Sequence, residues 1–230
     1  MKSINTVLWD VDDTLLDFGK SQRYAIQKTF EQFHLEITEE IIHSYIEIND
    51  RYWKKIERGE ISKEEVLTMR FRTLFERHAI PFAEVEQFQN CYQKLLGSVY
   101  YYRDDSIELC RILQGQVRQY VVTNGIRATQ VSKLSLSGLD LVMDDIFISD
   151  EIGFVKPQTE YFAACSLKIP EYDPARTMIV GDSLTSDMLG GNNSKITTCW
   201  YNPEQIKNDL AISIDYEITN LWQIRDILGR

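Results

Sequence analysis

LWDVDDTLLD, residues 8–17, ends the first apolar run of the chain in four carboxylates. Aspartate is a poor strand former, so acids at a strand end call for a chemical reason. Asp10 and Asp12 stand two apart just past the run, and in extended geometry such side chains leave on the same side. Two carboxylates turned to one place repel unless a cation lies between them. Hard oxygen donors of this kind suit Mg²⁺, which takes one or two carboxylates and fills its other positions with water or phosphate oxygens. For the pair alone, an exposed acidic turn is the simpler account.

Working outward, Ile4–Trp9 reads as a short buried strand, and similar runs recur at Val117–Val122, Ile146–Ile148, Met178–Val180 and Ile196–Trp200. Helix-like stretches lie between them, at Asp105–Leu113, Ala128–Leu136, Glu160–Leu167 and Asp187–Asn193. Alternating strand and helix signals predict an α/β fold, a Rossmann-like parallel sheet with helices on both faces. Ligands of such sheets bind at the carboxyl ends of the strands, which is where the opening stretch lies.

Residues 18–97 have a different pattern, four helical segments without strands: Lys20–Phe33, Glu39–Glu57, Lys63–His78 and Phe82–Leu96. Ser62 with Glu65 forms a capping box, Thr38 can cap the second segment, and Gly59 can end it. An inserted all-helical cap is therefore expected at 18–97, with 1–17 and 98–230 forming the core. Tyr45, Tyr52, Trp53, Phe71 and Phe75 read mainly as bundle core, with one or two available to stack on a ring.

Three later strand ends carry complementary groups. Val121-Val-Thr-Asn-Gly125 offers a hydroxyl, free backbone amides and a glycine ahead of a helix, an arrangement able to cradle an anion. Gly153-Phe-Val-Lys-Pro157 supplies Lys156 before a proline that can open the next helix. Val180-Gly-Asp-Ser-Leu-Thr-Ser-Asp187 adds two acids five apart. Singly these are an ordinary turn, a surface lysine and helix caps. Together, acids for a metal, hydroxyl and amides for phosphate and a lysine for charge make a phosphoryl-transfer site.

At these residues the sequence resembles the haloacid dehalogenase-like hydrolase superfamily, whose four motifs match Asp10-Val-Asp-Asp-Thr14, Thr123-Asn-Gly125, Lys156-Pro157 and Gly181-Asp182 to Asp187, in that order. Trp53 to Gly59 and the run from Asp187-Met-Leu-Gly-Gly191 to Thr198-Cys-Trp200 look like its pyrimidine 5′-nucleotidase branch, which hydrolyses nucleoside monophosphates, including non-standard ones. The resemblance implies a phosphatase in which Asp10 is the nucleophile, Asp12 the proton carrier and Lys156 the charge that offsets the phosphoryl group. It implies Mg²⁺ on Asp10, the Asp12 carbonyl and Asp182, with Thr14 and Asp187 behind them. Thr123, Asn124 and Gly125 would hold the phosphate, and the cap would close over the substrate. Asp17 and Phe18, at the cap's hinge side, are candidate selectors. Asp13 stands where many relatives carry Gly or Glu, and Asn192-Asn-Ser-Lys195 departs from the usual turn.

The same motifs serve sugar-phosphate and phosphoglycolate phosphatases, so those remain the alternative. A haloacid dehalogenase proper lacks an acid at the position of Asp12. A phosphorylatable receiver domain orders its acids differently and has no helical insertion, and a non-enzymatic binding relative would have no use for every reactive side chain.

The bulk numbers agree with a small-molecule enzyme. A chain of 230 residues can bury roughly 70% of its unfolded surface. A net charge of −10 disfavours nucleic-acid polymers, which are bound through clustered Lys and Arg. No run approaches the ~20 apolar residues of a membrane span, and the opening residues lack the apolar core of a secretory signal. Cys91, Cys110, Cys165 and Cys199 are widely spaced without a CxxC pair and read as reduced, buried thiols. The cytoplasm is the expected compartment.

Overall fold

A computed structural model describes residues 3–81 and 83–229. The chain divides into two compact units, one built from residues up to Phe18 and from Tyr100 onward, the other from Gly19–Val99.

The first unit is organised by a sheet of β1 (Thr6–Trp9), β2 (Arg118–Thr123), β3 (Asp145–Ile148), β4 (Thr177–Gly181), β5 (Thr197–Tyr201) and β6 (Tyr216–Ile218). All neighbours pair in parallel, in the order β3-β2-β1-β4-β5-β6. Every residue of β1 and β4 is buried, because a parallel sheet covered on both faces has no solvated side and its strands read as continuous apolar runs. The pleat sends alternate side chains to two cores. Val7, Trp9, Val121, Met178, Val180 and Tyr201 face one, and Leu8, Tyr120, Val122, Ile179 and Trp200 face the other. Strand order reverses between β1 and β4, where Trp9 lies opposite Val180, and this switch point leaves a crevice at the strands' carboxyl ends.

The second unit is helical and begins one residue into α1 (Phe18–Gln32), whose first residue, Phe18, belongs to the first unit. It continues with α2 (Glu39–Glu57), α3 (Lys63–Arg77) and α4 (Val85–Leu96). Phe82, the expected start of the last helix, lies outside the described residues. Thr38 Oγ1 accepts from the Ile41 amide at the start of α2. Its end is a Schellman turn, in which the Gly59 amide donates to Ile56 O (2.8 Å) and the Glu60 amide to Lys55 O (2.9 Å). Gly59 has φ +69°, a backbone without strain only for glycine. Both halves of the Ser62–Glu65 capping box are present. The bundle core is aromatic: Tyr45 stacks on Phe71 at 5.3 Å, and Phe71 and Phe75 each meet Phe88 edge-on at 5.0 Å. Tyr52 is buried as well, whereas Trp53 is half-buried.

The remaining helices are α5 (Ser106–Leu113), α6 (Arg127–Ser137), α7 (Ser149–Ile152), α8 (Thr159–Ser166), α9 (Leu189–Asn193) and α10 (Ile224–Leu228). Pro157 does not open α8, which begins two residues later; the Lys156–Pro157 bond is cis. The expected helix from Asp187 instead starts with a π-helical turn over Leu184–Met188, capped by the Ser183 hydroxyl. β6, α7 and α10 were not anticipated, since three to five residues are too few to show a period. The Asn192–Lys195 turn closes by the Ile196 amide donating to Gly191 O (2.9 Å), with Lys195 at φ +57°. Of the thiols, Cys110, Cys165 and Cys199 are buried, but Cys91 is only half-buried and donates to Gln32 Oε1.

Close packing of α9 depends on its glycines. A Cβ on Gly190 would lie 2.6 Å from the Phe162 ring and 3.2 Å from Pro157 Cα. Gly190→Ala is therefore expected to cost about 1–3 kcal/mol by overpacking, read as a lower denaturant midpoint with an unchanged slope.

Candidate active site

Four loops at the carboxyl ends of β1, β2, β3 and β4 build the site. The first leaves β1 at Asp10, whose amide donates to Val180 O (2.9 Å), so the acid is tied across the switch point to β4. Asp13 follows at φ +64°, a left-handed conformation in which Asp is among the tolerated residues. Its carboxylate faces Arg103 (3.0 Å) and the Phe18 amide (3.1 Å).

Lys156 is the centre of the charged cluster. Its ammonium, 2% exposed, donates to Asp10 Oδ1 at 2.6 Å, Asp187 Oδ1 at 2.7 Å and Val122 O at 2.9 Å. The Asn124 side chain positions it from behind, donating to Lys156 O (2.9 Å) and accepting from the Lys156 amide (2.8 Å). That side-chain amide is thereby committed to the lysine's main chain. Thr123 closes β2, and its hydroxyl accepts from the Gly125 amide (3.0 Å).

Asp10, Asp182 and Asp187 each bring a carboxylate oxygen within 4.8 Å of the others. Asp182 receives the Thr14 hydroxyl at 3.2 Å, and Asp187 Oδ2 accepts from the Ser183 amide at 3.1 Å. The approach of Asp187 requires Gly181, since a Cβ there would lie 2.2 Å from Asp187 Oδ2. Three carboxylates face one ammonium, and their ionisation responds accordingly. Burial pushes the Asp10 carboxyl up to about 7, against the pull of Lys156 and helped by the charge of Asp187. Burial, followed by the charges of Asp10 and Asp187, holds Asp182 well above the usual carboxylate range. Lys156 stays charged despite its own burial because both acids favour the ammonium. If all four groups ionise, the excess is two negative charges, and a divalent cation held by hard oxygens balances it. The donor set therefore fits Mg²⁺.

The Asp12 carboxylate lies outside the group formed by Asp10, Asp182 and Asp187, although its charge still reaches Asp10. Gln130 Nε2 donates to one oxygen and Lys133 Nζ to the other, both at 2.5 Å. The convergent partners of Asp10 are instead Asp182 and Asp187, far away in sequence. Asp17 is buried near Arg103, at 3.8 Å, and the Phe18 ring lies under the Lys133 ammonium at 5.4 Å; neither belongs to the acid cluster. Gln130 and Lys133 were not singled out from the sequence. The readable signal was their i, i+3 spacing on α6 just after Thr123-Asn-Gly125.

The family model for haloacid dehalogenase-like hydrolases matches residues 4–195. The chain belongs to that family of hydrolases. It is 36% identical over 229 residues to the HAD-hydrolase YfnB of Bacillus subtilis, covering 100% of this chain and 97% of that protein. A magnesium-bound crystal structure of YfnB, whose orthorhombic form reveals interdomain movement, matches with a TM-score of 0.94 at 35% identity, covering 100% of both chains. The pyrimidine 5′-nucleotidase PynA of Streptococcus pneumoniae is 31% identical, covering 97% of this chain and 94% of PynA. YjjG of Escherichia coli, also a pyrimidine 5′-nucleotidase, is 26% identical, covering 96% of each chain. The hydrolase is thus similar to the 5′-nucleotidase branch, and no helix among its described residues is long and apolar enough to cross a membrane.

Two outcomes follow from the acid cluster. Gly181→Ala should displace the Asp187 carboxylate and weaken Mg²⁺ binding at least tenfold by calorimetry, with the fold retained by circular dichroism. In the metal-free hydrolase Asp10 keeps a proton below pH of about 7, and a cation must displace it. Mg²⁺ affinity should therefore fall as pH drops from 8 to 6, approaching about tenfold per unit for each proton displaced.

Proposed function

We propose that this hydrolase is a Mg²⁺-dependent phosphomonoesterase working through an aspartyl-phosphate, with pyrimidine nucleoside monophosphates as its substrates and the cytoplasm as its compartment. The observation that carries the reading is the division of labour between two aspartates two residues apart. Asp10 sits against a buried lysine in the acid cluster, and Asp12 is held outside it by donors of its own. A nucleophile and a separate proton carrier are what ester hydrolysis in two steps needs.

In the first step an Asp10 carboxylate oxygen bonds to phosphorus as the bond from phosphorus to the ester oxygen breaks, and Asp12 delivers a proton to that oxygen. In the second, Asp12 takes a proton from water as the water oxygen attacks phosphorus. The bond to Asp10 then breaks and inorganic phosphate leaves. Lys156 restrains Asp10 and offsets charge on the phosphoryl oxygens, which the Thr123 hydroxyl and the main chain at Asn124 and Gly125 receive. Asp10, Asp182 and the Asp12 carbonyl would hold Mg²⁺, with Thr14 and Asp187 behind them. When bound, the ion supplies positive charge that screens carboxylate from phosphate.

PynA and YjjG support the nucleotide assignment, and the magnesium-bound YfnB structure supports the metal. We assign selection of the leaving group to the inserted helical unit, Gly19–Val99, because phosphatases of other specificities share the four motifs. Phosphate release across pyrimidine and purine nucleoside monophosphates, sugar phosphates and phosphoglycolate tests the reading. Turnover should require Mg²⁺, be strongest on pyrimidine nucleotides, and vanish in Asp10→Asn. Activity confined to sugar phosphates or phosphoglycolate would overturn the substrate assignment, and metal-independent turnover would overturn the mechanism.

A further inference from the structure

Helix α6 carries two side chains whose polar ends both reach the loop after β1. Gln130 and Lys133 lie three apart on one helix face, and each supplies one donor to one oxygen of Asp12. Both donors are buried: Gln130 is 1% exposed, and the Lys133 side chain is 0% exposed against 25% for Asp12. The carboxylate is therefore gripped from inside the fold while part of it stays accessible. Two further contacts restrict the grip. The Phe18 ring lies under the Lys133 ammonium, and Gly125 packs so closely on Gln130 that a Cβ would come within 2.1 Å of its Nε2.

We infer that Lys133 and Gln130 are positioning residues for Asp12, which hold its carboxyl group outside the acid cluster and in line to deliver a proton to the leaving oxygen. The assignment rests on the phosphomonoesterase reading above. Stability alone does not call for an ion pair here, because a buried ion pair is often no more stabilising than well-packed apolar groups of the same volume. A fixed Asp12 matters for proton delivery. When the bond to the ester oxygen breaks, an alkoxide needs the proton that Asp12 carries, whereas a nitrophenolate leaves without one. Loss of the grip should thus be felt in proportion to the leaving group's need.

The test compares kcat/KM, which reports the step that expels the leaving group, for the best alkyl ester of the panel above and for p-nitrophenyl phosphate. Lys133→Met should lose about 10²–10³ on the alkyl ester, within the range of general-acid effects. It should lose less than tenfold on the aryl ester and leave KM within about threefold. Lys133→Arg should recover most of the alkyl activity. Gln130→Leu, which retains the ion pair, should shift the alkyl-to-aryl ratio in the same direction by less. Equal losses on both esters, or none, would overturn the positioning role. Should Lys133→Met fail to fold by circular dichroism, Gln130→Leu decides, and an unchanged ratio in it overturns the role. A wild-type protein inert toward every ester overturns the phosphomonoesterase reading and this one together, while an active wild type with an unaltered ratio in the variants overturns this one alone.

Discussion

One buried ammonium holds the catalytic end of the sheet together. Lys156 lies between Asp10 and Asp187 at hydrogen-bond distance from both, and these acids come from loops after different strands. Taking any one of the three out of water alone would cost several kcal/mol; buried together, the ammonium offsets part of the cost of each acid, and the acids that of the ammonium. The lysine is fixed in turn by the Asn124 side chain, which pairs with both its amide and its carbonyl. Three strand ends thus depend on one another, and the β2 loop serves by orienting the lysine.

The sheet order makes this arrangement possible. Reversal between β1 and β4 puts the loop carrying Asp10 beside the loop carrying Asp182, and the Asp10 amide is bonded to β4 itself. Glycines then set the approach distances, since Gly181 admits the Asp187 carboxylate and Gly125 admits Gln130. The cluster retains more negative than positive charge, which is why burial and mutual repulsion raise Asp10 and Asp182 above ordinary carboxylates. A site that resists ionisation when empty of cations is suited to taking one up.

Two electrostatic jobs are separated within three residues of sequence. Asp10 joins the acid cluster, and Asp12 is paired with Lys133 and Gln130 from α6. From the chain alone the two acids looked convergent, because residues two apart in an extended strand share a side. The strand, however, ends at Trp9, so extended alternation no longer governs where Asp12 points. Its carboxylate is instead met by two donors far along the chain, Gln130 and Lys133.

Much of the core was legible because its signals are local. Apolar runs ending in polar residues located β1 to β5 to within two residues, and the caps at Thr38 and Ser62 and the turn at Gly59 are interactions between near neighbours that hold wherever the chain goes. The elements that escaped notice, β6, α7 and α10, are too short to establish a period, and the π-helical turn at Leu184–Met188 has no sequence pattern of its own. By itself the sequence determined the alternation of strands and helices and the helical insertion, and it singled out the candidate site residues, since these signals depend on residues close in the chain. Which carboxylates converge, which side-chain amide is spent on the lysine and which donors hold Asp12 were decided only by the tertiary structure. Charge pairing acts through space, and its partners here come from strand ends and a helix that only the folded sheet brings together.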